Sequence, residues 1–195
     1  LELLSDMQRL AVEPSEIACN AAISACEKGL SWEAALEVFR DMQARDIHPG
    51  AVTYGAAIGA CGRGAQWAAA LVLLADACER SCEPDAAVFG ATVAACERAQ
   101  RWRWAVQLQE EMRCQGVGLQ RVACNAGISA CGRGQRWACA LRLLQDAEVS
   151  ALESNDVAYG AAVGACEKGR QWQLALALLS SMPRLQLVPD TVSCN

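Results

Sequence analysis

A chain of 195 residues, 53% apolar and 20% charged, has ample material for a buried core, and a formal charge of −5 argues against indiscriminate coating of nucleic acid. Its longest apolar stretches are broken by Arg, Glu or Gln, so no bilayer-spanning run exists and a soluble protein with no membrane partner is expected. Screening confines each surface charge to a range of roughly 8 Å at physiological salt, so a local basic stripe remains compatible with the acidic total.

The chain repeats itself. Cys26, Cys61, Cys96, Cys131 and Cys166 step by 35 residues, and so do Trp32, Trp67, Trp102, Trp137 and Trp172. A basic residue keeps the same step (Lys28, Arg63, Arg98, Arg133, Lys168), followed by Gly29, Gly64, Gly134 and Gly169, with Ala99 as the exception. Agreement in several independent columns without an insertion marks an array of one supersecondary unit. The repeats run 16–50, 51–85, 86–120, 121–155 and 156–190, flanked by partial repeats at 1–15 and 191–195. The chain is therefore expected to be a piece of a longer array.

In chain order, Leu1, Leu4 and Met7 read as the end of a second helix, closed by Pro14-Ser15. The first full repeat opens with a helix over about 17–28, rich in the small residues Ala21, Ala22, Ser24 and Ala25. Gly29 is the expected stop, with Lys28 at the negative end of the helix dipole. A second helix should start near Ser31, a candidate N-cap, and carry an apolar stripe through Trp32, Ala35, Leu36, Phe39 and Met42. The second repeat has the same stripe as Trp67, Ala70, Leu71, Leu74 and Ala77. The third places Gln109 on it and should have the weakest core. The fifth carries Trp172, Ala175, Leu176, Leu179 and Met182, and Pro183 should end that helix short. Pro49, Pro84 and Pro189 close repeats. One helix pair cannot bury both of its faces, so neighbours must stack. The fold class is all-α, a right-handed α-solenoid of helix-turn-helix hairpins.

Twelve Cys and a single His invite a metal or disulfide explanation. Most of the Cys fall at fixed positions inside predicted helices, where a thiol acts as a small buried hydrophobe. Cys78 and Cys82 form a CxxxC, but His48 is the only imidazole and no second ligand pair accompanies them, so neither a metal nor any other cofactor is expected. No nucleophile has a base at a legible spacing, Asp85 and Asp190 have no reason to converge, and no GxxxxGK[ST] loop is present. The chain is not expected to be an enzyme.

The repeat openings are Ile17-Ala18-Cys19-Asn20, Val52-Thr53-Tyr54-Gly55, Val122-Ala123-Cys124-Asn125 and Val157-Ala158-Tyr159-Gly160, and closings include Pro84-Asp85 and Pro189-Asp190. With a period of 35 rather than the 34 of tetratricopeptide repeats, the whole chain resembles the pentatricopeptide repeat family, in its class of uniform 35-residue units. The resemblance implies a protein that binds single-stranded RNA as a monomer, one base per repeat, in the RNA processing, stability, editing or translation of a mitochondrion or chloroplast. It implies base-edge reading by the fifth and last residues of each unit: Asn20 with Gly50, Gly55 with Asp85, Gly90 with Gln120, Asn125 with Asn155, and Gly160 with Asp190. The second residues, Ile17, Val52, Ala87, Val122 and Val157, would pack on base faces.

An Asn amide both donates and accepts, whereas an Asp carboxylate only accepts and so favours a base with a ring N–H. The resemblance further implies that Asn at the fifth position favours pyrimidines, so that in order the units would take a pyrimidine, G or U, an undetermined base, C or U, and G or U. Gly at three fifth positions weakens the selectivity. Lys28, Arg63, Arg98, Arg133 and Lys168 would contact phosphates, although dipole complementation also accounts for them. Five such contacts would give a salt slope near −3.5, from about −0.7 per contact on a single strand. The Trp column lies on the second helix and is expected in the core. A protein-binding helical scaffold, with protein partners in place of RNA, is the alternative. A targeting arm for a catalytic domain elsewhere is a third possibility.

Overall fold

The computed structural model describes residues 15–80, 85–118, 120–150 and 156–182. The regular structure of the described residues is ten α-helices: α1 (Glu16–Lys28), α2 (Trp32–Ala44), α3 (Ala51–Arg63), α4 (Trp67–Glu79), α5 (Ala86–Arg98), α6 (Trp102–Cys114), α7 (Arg121–Arg133), α8 (Trp137–Val149), α9 (Asp156–Lys168) and α10 (Trp172–Ser181). The backbone thus keeps the 35-residue step, with one hairpin in each full repeat. α10 stops after 10 residues where the others have 13, the early ending expected there. Pro14, Pro84, Asn155, Pro183, Pro189 and Asp190 lie outside the described residues.

Two compact units, residues 1–95 and 96–195, are taken in turn. In the first, α1 packs on α2 and α3, and α3 on α2 and α4. Ile23, Phe39, Met42, Tyr54, Ile58 and Leu74 form its buried core, with the rings of Phe39 and Tyr54 edge to face at 5.2 Å. In the second, α7 packs on α6, α8 and α9, and α9 on α8 and α10. Ile128, Cys131, Leu143, Leu144, Tyr159 and Met182 are buried together there. First helices of neighbouring repeats therefore lie side by side within each unit, and their small residues permit that approach.

The turn between paired helices corrects two expectations. Gly29 has φ −79°, so it is not the left-handed residue of the stop. That conformation falls one residue later, on Leu30, Ala65, Gln100, Gln135 and Arg170, with φ between 54° and 58°. Ser31 N–H then donates to the Cys26 carbonyl at 3.0 Å, and the same bond recurs from Gln66 to Cys61 at 2.8 Å, the closure of a Schellman turn. Ser31 precedes α2 but makes no side-chain cap bond, whereas Ser15 caps α1 by accepting from Ala18 N–H at 3.3 Å.

The Gly column serves packing between repeats. A Cβ at Gly64 would sit 2.3 Å from Trp32 Cδ1, one at Gly134 2.4 Å from Trp102, and one at Gly169 2.4 Å from Trp137. At Gly29 the nearest atom would be the Ala25 carbonyl oxygen at 3.3 Å. Each of these three Trp rings lies across the end of the next repeat's first helix. The Trp column is accordingly half-buried rather than in the core, and Trp172 is 65% exposed.

Gln109 is the flaw in its core that its position on the stripe suggests. It is buried, its Nε2 donates to the Ala123 carbonyl, and its Oε1 has no partner. Gly127 makes room for it, since a Cβ there would lie 2.3 Å from Gln109 Nε2.

Cys61, Cys96, Cys131 and Cys166 are buried and Cys26 is half-buried, and every described cysteine is a free thiol. Burial pushes Cys61 and Cys96 up to about 11 and Cys131 up to about 12. These thiols stay protonated and inert near neutral pH. Among the described residues no group of His, Cys, Asp and Glu is placed to hold a metal ion. No described helix is long and apolar enough to cross a membrane.

Candidate nucleic-acid interface

In an α-helix, residues eleven apart are about three turns apart and share a face. Ile17 and Lys28, Val52 and Arg63, Val122 and Arg133, and Val157 and Lys168 are such pairs on α1, α3, α7 and α9. The apolar member of each is left in solvent: Ile17 is 81% exposed, Val52 71%, Val122 64% and Val157 61%. Ala87 on α5 is exposed as well, and so are all five basic residues. Branched apolar side chains pack poorly against water, so their recurrence at one exposed position in four repeats calls for an occupant.

Asn20, Gly55, Asn125 and Gly160 are half-buried, whereas Gly90 is buried and has little surface to offer a base. Asn20 is oriented by the next repeat. The Thr53 hydroxyl accepts from Gly50 N–H at 3.2 Å and donates to Asn20 Oδ1 at 2.6 Å. The amide oxygen is thereby engaged, and the NH2 is left to donate. Gly55 has space for a side chain, since its Cβ would meet only Val88 Cγ2 at 3.9 Å.

At the last positions, Asp85 caps α5, its Oδ1 accepting from Ala87 N–H at 3.0 Å and Val88 N–H at 2.9 Å. Gln120 is exposed at the start of α7 and makes no side-chain cap bond, and Gly50 occupies the same place before α3. Asn155 and Asp190, the partners assigned to Asn125 and Gly160, lie outside the described residues.

The basic column is not uniform. Arg63 Nε lies 3.2 Å from Glu27 Oε1, and an Arg133 guanidinium nitrogen lies 3.0 Å from Glu97 Oε1. Glu97 Oε1 also accepts from Ser129 Oγ at 2.8 Å. Among the described residues Lys28, Arg98 and Lys168 form no ion pair. Charge is also divided unevenly along the chain. Residues 1–95 contain six basic and 13 acidic residues, a formal charge of −7, whereas 96–195 contain eleven and nine, a charge of +2. In the second unit the guanidinium carbons of Arg136 and Arg103 lie 4.8 and 5.4 Å from the centroid of the Trp102 ring. Nothing in the sequence totals shows this division.

Paired helices recurring every 35 residues, with side chains presented in register on the first helix of each pair, define a helical-hairpin repeat protein. A profile of the pentatricopeptide repeat domain matches residues 2–64. The maize pentatricopeptide repeat protein PPR10 is 25% identical and superposes with a TM-score of 0.74 over 98% of this chain, which spans 27% of the maize protein. The pentatricopeptide repeat domain of Arabidopsis thaliana protein-only RNase P 1, solved in complex with tRNA, superposes with a TM-score of 0.79 over 93% of this chain and 95% of its own length. At 11% identity it shows the fold alone. No curated protein matches the chain. The matched segment is thus similar to the pentatricopeptide repeat, and the whole chain shares the helical-hairpin fold of these two structures.

Proposed function

We propose that the chain binds single-stranded RNA, with successive repeats meeting successive nucleotides. The observation that carries this is the exposed apolar ladder of Ile17, Val52, Val122 and Val157. Each rung shares a helix face with a cation, so one element offers both a flat-packing contact for a base and a charge for the backbone. Asn20, Gly55, Asn125 and Gly160 stand one turn further along the same helices and would meet base edges, with Gly50, Asp85, Gln120, Asn155 and Asp190 as second contacts. Asn20 would donate to a base acceptor, because the Thr53 hydroxyl holds its amide oxygen toward the next repeat and turns the NH2 away from it. That agrees with a pyrimidine at the first full repeat. Occupation of Asp85 by the α5 N-cap leaves its second carboxylate oxygen for a base N–H. The role is one of masking or presenting an RNA site, by family likeness in a mitochondrion or chloroplast, with the chain acting as a monomer and any chemistry supplied by another domain or protein.

The test is selection from a random single-stranded RNA pool, followed by Val52→Asp, Val122→Asp and Val157→Asp in one chain. These side chains are exposed, so the melting temperature should hold. RNA affinity should fall by more than about tenfold, as lost stacking and added repulsion act together. Failure to enrich any RNA, together with capture of a basic peptide by the acidic first unit, would favour the protein scaffold instead.

A further inference from the structure

The array has a second, longer period. The residue before the basic column is Glu27, Glu97 and Glu167 in the first, third and fifth repeats, but Gly62 and Gly132 in the second and fourth. The buried residue closing each second-helix stripe alternates in step: Met42, Met112 and Met182 against Ala77 and Ala147. At this level the repeating unit is two hairpins.

The alternation decides which cations are neutralised. Glu27 reaches forward to Arg63 in the next repeat, and Glu97 reaches forward to Arg133 in the same way. Gly132 cannot do this for Lys168. A Cβ there would meet Ala165 Cβ at 3.4 Å, so α7 and α9 approach closely at the position where α1 carries Glu27 toward α3. Lys168 is exposed without an ion pair among the described residues, as are Lys28 and Arg98.

We propose that Glu27 and Glu97 withdraw Arg63 and Arg133 from the backbone-contact ladder, so that a bound strand is held by phosphate contacts at Lys28, Arg98 and Lys168, in every second repeat. This rests on the RNA-binding function proposed above. A neutral pair attracts a phosphate weakly, and a phosphate seated on either Arg would lie against the paired carboxylate. Glu97 is the firmer block, because Ser129 also holds its Oε1 and its side chain is only 17% exposed. The two glutamates are positioning residues: they determine which phosphates are gripped and leave the intervening nucleotides to be held through their bases.

The experiment measures the dissociation constant of the whole chain for a single-stranded oligouridine spanning all five repeats, across a potassium chloride series. Three contacts give a slope of about −2.1, whereas five give about −3.5. Lys168→Gln should make the slope shallower by about 0.7, and Arg133→Gln should leave it unchanged. Glu97→Gln, and independently Glu27→Gln, should steepen it by about 0.7 by freeing the partner Arg. The glutamine retains the acceptor for Ser129, and a thermal melt confirms the fold of each variant. A parent slope near −3.5, equal losses from Arg133→Gln and Lys168→Gln, or no change in either Glu variant would overturn the alternation while RNA binding stands. No binding by any variant or by the parent would instead overturn the RNA-binding function itself.

Discussion

The two compact units are built from the same hairpin but hold it together differently. In residues 1–95 the contacts between repeats include the edge-to-face Phe39–Tyr54 pair, the Asn20–Thr53 bond and the bond from Gln43 Nε2 to Asp76 at 3.2 Å, and within its own repeat Asp76 also accepts from Tyr54 Oη at 2.6 Å and Arg80 Nε at 2.8 Å. In residues 96–195 a buried Gln109 replaces an apolar stripe residue, and exposed ion pairs, Arg113–Asp146 and Arg142–Glu110, join α6 to α8. The formal charges, −7 and +2, differ as much as the packing does. The repeat therefore tolerates wide variation at its stripe and surface positions while the columns that set hairpin-to-hairpin distance stay in place.

Removing a Trp from that distance-setting column should have the largest effect. Trp32→Ala in the first unit should cost about 2–4 kcal/mol, below a fully buried Trp because the ring is half-buried. Trp102→Ala in the second unit should cost about 0.5–2 kcal/mol more, through loss of the two flanking guanidinium contacts. Urea unfolding measures both, and equal costs would remove the cation–π distinction between the units.

Next in size, Gly64→Ala and Gly134→Ala should each cost about 1–3 kcal/mol, because the added methyl falls inside the Trp32 or Trp102 ring contact. Gly29→Ala, which meets no such ring, should change stability by less than about 0.5 kcal/mol. Similar losses at all three sites would mean that the column serves turn geometry after all.

Gln109→Leu should stabilise the second unit by about 1–2 kcal/mol by removing the unpartnered buried carbonyl. The matching change in the first unit, Leu74→Gln, should lower stability, since Leu74 is buried in the apolar core. A destabilised Gln109→Leu variant would show that the Ala123 bond outweighs the orphaned oxygen.

The smallest effect is acid sensitivity in the first unit. Burial pushes Asp76 up, but the bonds from Tyr54, Arg80 and Gln43 outweigh it and hold the carboxyl below its ordinary value. A carboxyl depressed on folding contributes stability that is present above its unfolded value of about 3.9 and is lost as pH falls through the folded value. Asp76→Asn should therefore be less stable than the parent at neutral pH, and the two should converge in acid. Urea midpoints at the two pH values check this, and a constant difference would remove Asp76 as the source.

Much of the architecture was legible before any contact was known. The hairpins, the short final helix, the thiol column as buried hydrophobes and the flaw at Gln109 all follow from the columns, because helix periodicity and burial of small apolar residues are local properties repeated five times. The candidate interface was legible only as positions. That Ile17 and Val52 are exposed follows from the helix face they share with Lys28 and Arg63. That Asn20 offers its amide nitrogen, and that Arg63 is engaged while Lys168 is not, depends on side chains 33 to 36 residues away.

The 35-residue columns by themselves determined that this chain stacks helical hairpins, since each pair leaves a face that only another pair can cover. Tertiary structure alone decided what those columns do. Gly64 is there for the Trp32 ring rather than for a left-handed turn, Leu30 takes the strained φ, and Glu27 neutralises a cation one repeat on. The physical reason is that a period states which residues are equivalent, whereas the rise and rotation from one hairpin to the next determine which of them touch.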